Sequence, residues 1–157
     1  MPEISLTTMI HAPAERVFDL SRSVRVHQDS MAEQGEKAVA GKVFGLLDLD
    51  DTVTWKARHL RKERVLMIRI SSMNRPFYFR DEMIRGDFKS MQHEHFFKTI
   101  SNGTIMIDVM RFVTPYGRLG EWLNNIYLTG YLRGLIIRRN LLIKSYAEGS
   151  RWSIILG

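Results

Sequence analysis

The chain has 157 residues, 45% hydrophobic and 25% charged, a size at which one hydrophobic core forms and a second domain is not expected. It contains no cysteine, which excludes a disulfide framework, a thiol nucleophile and a cysteine-ligated metal, and makes a reducing compartment, the cytoplasm, the expected location. The formal charge of +6 would attract any polyanion. Its basic residues are scattered, however, locally dense only at Arg58 to Arg64 and Arg138 to Arg139, with no aromatic-interleaved basic repeat, so nucleic acid is not expected as a partner.

Met1, Pro2 and Glu3 lead straight into alternation, without the charged start and apolar run of a secretory signal. Ile4, Leu6, Thr8 and Ile10 alternate with polar or small residues across Glu3 to Ala12, the period of a half-buried strand. Pro13 stands near the start of a short helix carrying Val17, Phe18 and Leu20, and Val24 to Met31 forms a second one. Six further strands follow: Glu36 to Ala40, Thr52 to Leu60, Arg64 to Met73, Pro76 to Arg85, Phe88 to Ile100 and Thr104 to Val113. Gly41, Asp50-Asp51, Arg61 to Glu63, Asn74-Arg75, Gly86-Asp87 and Asn102-Gly103 break them, the last being the strongest hairpin signal.

Connections this short between consecutive strands favour an antiparallel meander. After Pro115 and Gly117 the period becomes helical, from about Leu119 to Ala147. Its apolar side is broad: Leu119, Trp122, Leu123, Ile126, Gly130, Leu132, Ile136, Ile137, Leu141 and Tyr146. Asn124, Asn125, Arg133, Arg138 and Arg139 interrupt the most apolar stretch, so neither a transmembrane segment nor stable membrane insertion is expected. The expected architecture is α+β: a curved antiparallel sheet of about seven strands around a long C-terminal helix, with two short helices after the first strand. The apolar tail, residues 150–157, either folds back on this body or meets a partner, a homodimer being one option.

Several motifs, in this order, resemble the SRPBCC or START-like superfamily, within its ligand-binding and polyketide-cyclase-like subgroup. They are Ala12 to Phe18, Val53 to His59, Phe79 to Glu82, Gly86 to Lys89, His93 to Phe97, Thr104 to Asp108 and Pro115 to Gly120, with Arg138 or Arg139 where the family's late-helix arginine falls. The resemblance covers about Ile4 to Tyr146. Asp50 and Arg61 stand where relatives carry turn glycines, so departures are expected in those loops. The resemblance implies a helix-grip fold with a pocket between sheet and C-terminal helix for apolar or aromatic small molecules, lipids or polyketides. It fixes no reaction, because family members include carriers, sensors and cyclases. It also marks His27, Ser30 and Glu36 as polar positions near the pocket's mouth.

The residues themselves nominate a polar set. His93 and His95, two apart on a strand, project from one face beside Phe97, either as hydrogen-bonded structural groups or as a ligand anchor or general base. Trp55 and His59 share a strand face with small Ala57 between them, as suits the wall of a cavity. Asp81 shares a face with Phe77, Phe79 and Met83; a carboxylate in an apolar row must be paired, with Arg69, Arg111 or a late-helix arginine available, or must act on a ligand. Asp108 poses the same question among Thr104, Met106, Met110 and Phe112.

Nine methionines, with Phe77, Phe79, Phe97, Phe112, Tyr127 and Tyr131, supply adaptable apolar lining. Gly130 and Gly134 are read as a smooth patch on the long helix, facing the pocket. Zinc held by His93, His95 and His59 is conceivable, but HxH alone is a weak signal; no metal or other cofactor is assigned. There is no phosphate loop, nucleophile elbow or HExxH. The expected ligand-binding residues are therefore His27, Trp55, His59, Phe77, Phe79, Asp81, His93, His95, Phe97, Tyr127 and Tyr131. If the protein is an enzyme, His95, His59 and Asp81 are its candidate acid–base groups. The leading expectation is a binder of an apolar or aromatic small molecule or lipid; the alternatives are a cyclase- or dehydratase-like enzyme and a basic module acting at a membrane surface or on a protein partner.

Overall fold

Alternation of apolar and polar residues organises the chain into seven strands. They are β1 (Glu3–Ile10), β2 (Lys37–Gly41), β3 (Thr52–His59), β4 (Lys62–Asn74), β5 (Tyr78–Arg85), β6 (Ser90–Ile100) and β7 (Gly103–Val113). A computed structural model describes the backbone of residues 2–115 and 118–157 and the side chains of 2–115 and 126–157. The expected apolar positions Leu119, Trp122 and Leu123 therefore lie outside the described side chains.

All pairings are antiparallel, in the order β1-β7-β6-β5-β4-β3-β2. The meander from β2 to β7 is closed at its far edge by the N-terminal strand. Register shifts at Ala38/Ala40, Met67/Ile68 and Ile70/Ser72 interrupt the ladders, and such bulges add bend and twist, which suits a sheet that must wrap a helix. This is the expected helix-grip arrangement.

Helices α1 (Ala14–Ser21) and α2 (Val24–Ser30) cross from β1 at one edge of the sheet to β2 at the other. Pro13 occupies the N-cap of α1, and Ser23 caps α2 by accepting from the Val26 N–H at 3.3 Å. Because α2 carries His27, that cap also positions a polar group of the cavity. Ser23→Ala is expected to cost about 1 kcal/mol, read as a lower urea midpoint at constant slope.

Phe18 of α1 is buried edge-on against Phe79 at 5.5 Å and Phe97 at 5.3 Å. Val17, Leu20, Val24, Val26, Trp55, Ile70 and Met106 complete this core. The long helix α3 (Arg118–Glu148) seals it with Ile143 and Ala147, and a second cluster forms around Ile4, Met110, Phe112 and Ile136. The tail forms α4 (Arg151–Leu156) and folds back: Trp152, Ile155 and Leu156 pack on the first core, and the Arg16 guanidinium lies 3.8 Å from the Trp152 ring centre. Among the described residues, no helix is long and apolar enough to cross a membrane.

Three details differ from the sequence reading. Gly130 and Gly134 lie on the exposed side of α3, where an added Cβ would meet nothing within 4 Å among the described residues; neither is among the cavity-lining residues. Ile126, Ile137 and Leu141 are exposed too, so the inward side is narrower than expected and runs through Leu132, Leu135, Ile136, Arg139, Asn140 and Ile143. The Asn102-Gly103 hairpin forms, yet neither residue has positive φ. Glycine is needed at 103 because a Cβ there would come within 2.2 Å of the Ile10 carbonyl oxygen of β1.

Asp50 and Arg61 have left-handed backbone, a conformation that glycine adopts most readily, with φ of 69° and 66°, and Leu60 joins them at 54°. These left-handed conformations cost a side-chain-bearing residue free energy, and the surrounding ladders hold them in place. Leu60 and Arg61 form the β3–β4 turn at one end of the cavity.

Candidate functional site

Strands β5, β6 and β7 lie side by side, and their register sets Asp81 opposite His93 and His95 opposite Asp108. Inward-pointing side chains then connect along the diagonals. The His95 Nε2 lies 2.8 Å from Asp81 Oδ2, and the His93 Nε2 lies 2.8 Å from Asp108 Oδ1. The other ring nitrogen of His95, Nδ1, is 3.3 Å from that same Asp108 oxygen, so His95 has a carboxylate at both ends. The two imidazoles stack at 3.9 Å, and Phe79 stacks on His95 at 4.1 Å.

The inward face of α3 completes the cluster. Asn140 Nδ2 donates to Asp108 Oδ2 at 2.7 Å, and Arg139 Nη1 lies 3.4 Å from Asp108 Oδ1. Arg139 also donates to the Asn140 side-chain oxygen and to the Ser21 carbonyl, which ties α1, α3 and β7 together. Burial alone would raise the Asp108 carboxyl, but hydrogen bonds from His93 and His95, with the charges of His93 and Arg139, hold it well below the ordinary carboxylate range. Asp81 is held low in the same way, chiefly by His95 against the effect of burial. Burial pushes His93 below its ordinary value and the neighbouring His95 adds to this, with Asp108 opposing.

A second polar group lies across the cavity. His27 hydrogen-bonds Glu36 and stacks on Trp55 at 4.2 Å, while His59 Nδ1 meets the Tyr131 hydroxyl at 2.6 Å. Burial depresses His59, partly offset by the negative charge of Glu36. Between the two groups is a cavity of about 440 Å³ with largely apolar walls: Ile68, Ile70, Met91, Met110, Leu132 and Leu135 among them. One end is framed by Leu60, Val65, Phe88 and the exposed Tyr127, with an Arg64–Asp87 ion pair of 2.7 Å joining β4 to the β5–β6 turn. The accessible part of the Asp81 side chain faces this cavity rather than bulk solvent.

Depressed folded-state values fix the sign of the pH response. His93 and His59 bind protons more readily when unfolded, and so do Asp81 and Asp108, so stability falls as pH falls. The histidine contribution is present above the ordinary imidazole value of 6.5 and is lost below it; the carboxylate contribution is lost below about 4. Thermal melts from pH 8 to pH 3 are expected to show two successive declines, and His93→Gln should flatten the upper one. A melting temperature constant from pH 7 to pH 5 would contradict the burial of a neutral His93.

Of the residues expected at a ligand site, His27, Trp55, His59, Phe79, Asp81, His93, His95, Tyr127 and Tyr131 line the cavity. Two do not. Phe77 precedes β5 and is 50% exposed, because its strand begins at Tyr78 rather than Pro76. Phe97 faces inward but lies under Phe18, where α1 fills the space. Ser30 donates to the His27 carbonyl and stays outside the cavity lining. Of the partners proposed for Asp81, Arg111 points to the outer face and pairs with Glu3 and Glu94, while the late-helix Arg139 acts on Asp81 through its charge and His95 is the hydrogen-bonded partner.

Sequence reasoning passed over Asn140 and left Arg138 and Arg139 undecided. The assignment follows only once the inward stripe is known: Arg139 falls three residues after Ile136 and four before Ile143, both on that stripe, whereas Arg138 pairs with Glu33 at the surface.

No family model matches the sequence, and no curated protein does. Solved structures do match. A protein of Thermus thermophilus superposes with a TM-score of 0.72 at 17% identity, covering 93% of this chain and 99% of its own. The Zhui aromatase/cyclase from a Streptomyces species gives 0.74 at 12% identity, with 94% and 93% covered. A major latex-like protein from Panax ginseng gives 0.66 at 10% identity, with 94% and 98% covered. At such identities the likeness establishes the fold.

Proposed function

We propose that this chain, which has the helix-grip fold of the START-like superfamily, binds one apolar or aromatic small molecule or lipid between its sheet and α3, as a carrier or sensor in the cytoplasm. The observation that supports this reading is the cavity itself. Its volume of about 440 Å³ falls in the range of small-molecule sites, and its apolar walls end in a few convergent polar groups. Apolar walls supply affinity through desolvation, while Asp81, His93 and His95 orient a hydroxyl, carbonyl or amine at one end and Tyr131, His59 and Glu36 can receive a second polar group. Titration with an anilinonaphthalene sulfonate probe is expected to saturate at one site and to be reversed by a fatty acid or a polycyclic phenol. Non-saturating enhancement, or no competition, would contradict it.

One observation favours a second reading, a cyclase- or dehydratase-like enzyme. His95 is held between two carboxylates with Asp81 open to the cavity, an arrangement able to take a proton from a bound carbon or hydroxyl acid and return it. On a poly-β-ketone substrate, His95→Ala and Asp81→Asn are expected to abolish turnover while leaving probe affinity within about threefold, since the apolar walls are untouched. Unchanged turnover in both variants would remove the enzyme reading and leave the carrier.

A further inference from the structure

We propose that Asp81, His93 and His95 form a binding site for a divalent transition-metal ion of the zinc class, open toward the cavity. One ligand atom from each residue can be chosen so that all three lie within 4.8 Å of one another. Bonds of about 2.0–2.1 Å to a tetrahedral ion place its ligands about 3.3 Å apart, so binding draws the three ligand atoms in from within 4.8 Å to about that spacing. The Asp81–His95 edge, at 2.8 Å, is already that short. His59, the third histidine considered from the sequence, is engaged with Tyr131 and is not in the set.

The second layer is what separates this cluster from an ordinary polar network. Metal-bound imidazoles characteristically donate their far N–H to a carboxylate, which fixes tautomer and ring angle. Asp108 stands in that position for His93, 2.8 Å from its Nε2, and lies 3.3 Å from His95 Nδ1, a nitrogen that Arg139 Nη2 also approaches, less closely, at 3.5 Å. Among the described residues His93 Nδ1 has no hydrogen-bond partner, and His95 Nε2 faces Asp81. Asn140 in turn fixes Asp108.

Charge agrees. With neutral imidazoles, Asp81 and Asp108 against Arg139 leave one net negative charge, and the ion takes the place of any proton shared within the set. A nitrogen–nitrogen–oxygen set without thiolate suits borderline ions such as zinc rather than soft copper(I) or hard calcium. Three protein ligands leave one or two positions facing the cavity for water or for the polar end of a ligand, the pattern of an open rather than a structural site. The ion is held whether or not the cavity is filled, so this proposal and the ligand-binding one fail separately.

The test uses the full chain, stripped by chelator and reloaded. After gel filtration, elemental analysis is expected to find one zinc ion per chain. The cobalt(II) form should show the visible bands of a four- or five-coordinate ion and two hyperfine-shifted, exchangeable imidazole N–H resonances, from the two rings that donate to Asp108. Asp81→Asn and His93→Gln should each weaken the affinity by about tenfold or more, with His11→Gln, on the exposed surface, unchanged. Zinc retained at well under one equivalent, a cobalt spectrum without the two N–H signals, or affinity unchanged in both site variants would overturn the proposal. Should either variant fail to fold, the cobalt resonances of the unaltered protein decide.

Discussion

Asp108→Ala is expected to lower folding stability by about 3–5 kcal/mol. Asp108 is fully buried and takes hydrogen bonds from His93 and Asn140, with the Arg139 guanidinium 3.4 Å away and only 5% exposed. Removing the carboxylate takes from that cation its nearest counter-charge and from the Asn140 amide its shortest hydrogen bond, in a low-dielectric interior, which costs more than the intact arrangement gains. Urea unfolding followed by circular dichroism measures the loss. The accompanying expectation is non-additivity: Asp108→Ala combined with Arg139→Met should cost less than the two single losses together, because the second change removes the stranded charge. Additive losses would mean that Asp108 and Arg139 act independently, against the geometry.

Ala57→Phe is expected to lower probe affinity by at least thirtyfold while leaving the melting temperature within a few degrees. Ala57 lies on β3 between Trp55 and His59, its methyl group facing the cavity. In a close-packed core an added ring forces strain of about 1–3 kcal/mol, but here it enters space with no partner atoms and adds apolar contact. The side chain then occupies what a ligand would. A thirtyfold loss corresponds to about 2 kcal/mol of binding free energy. Fluorescence titration with calorimetry separates the outcomes: lost affinity with an intact melt supports a cavity site, while full affinity places the probe on the exposed Ile126, Ile137 and Leu141 face of α3 instead.

Strand order and the long helix were legible in the sequence because two strong local signals, alternation and turn residues, repeat along a meander in which neighbours in sequence are neighbours in space. The β5–β6–β7 cluster was legible only in part. Period two placed His93 and His95 on one face, and a carboxylate among apolar residues singled out Asp81. Which groups meet depends on register, however, and turn residues such as Gly86-Asp87 mark where β5 and β6 break without fixing which residues pair across them. Arg139 was hidden for a different reason. A helix whose outer side carries Ile126, Gly130, Gly134, Ile137 and Leu141 reads as apolar nearly all round, so its inward stripe could not be told from its outward one. Phe97 fell on the right face and in the wrong compartment, because α1 covers that part of the sheet and only the remainder stays open.

Native mass spectrometry of the protein purified from its own host, followed by solvent extraction and identification of what is released, tests the central claim most directly. A cavity of about 440 Å³ with apolar walls is expected to retain one small molecule per chain, apolar over most of its length and bearing a polar group at one end. Ala57→Phe, prepared in parallel, should carry none. A bare polypeptide mass in both preparations, together with no saturable uptake of apolar probes, would contradict the reading of this molecule as a small-molecule binder.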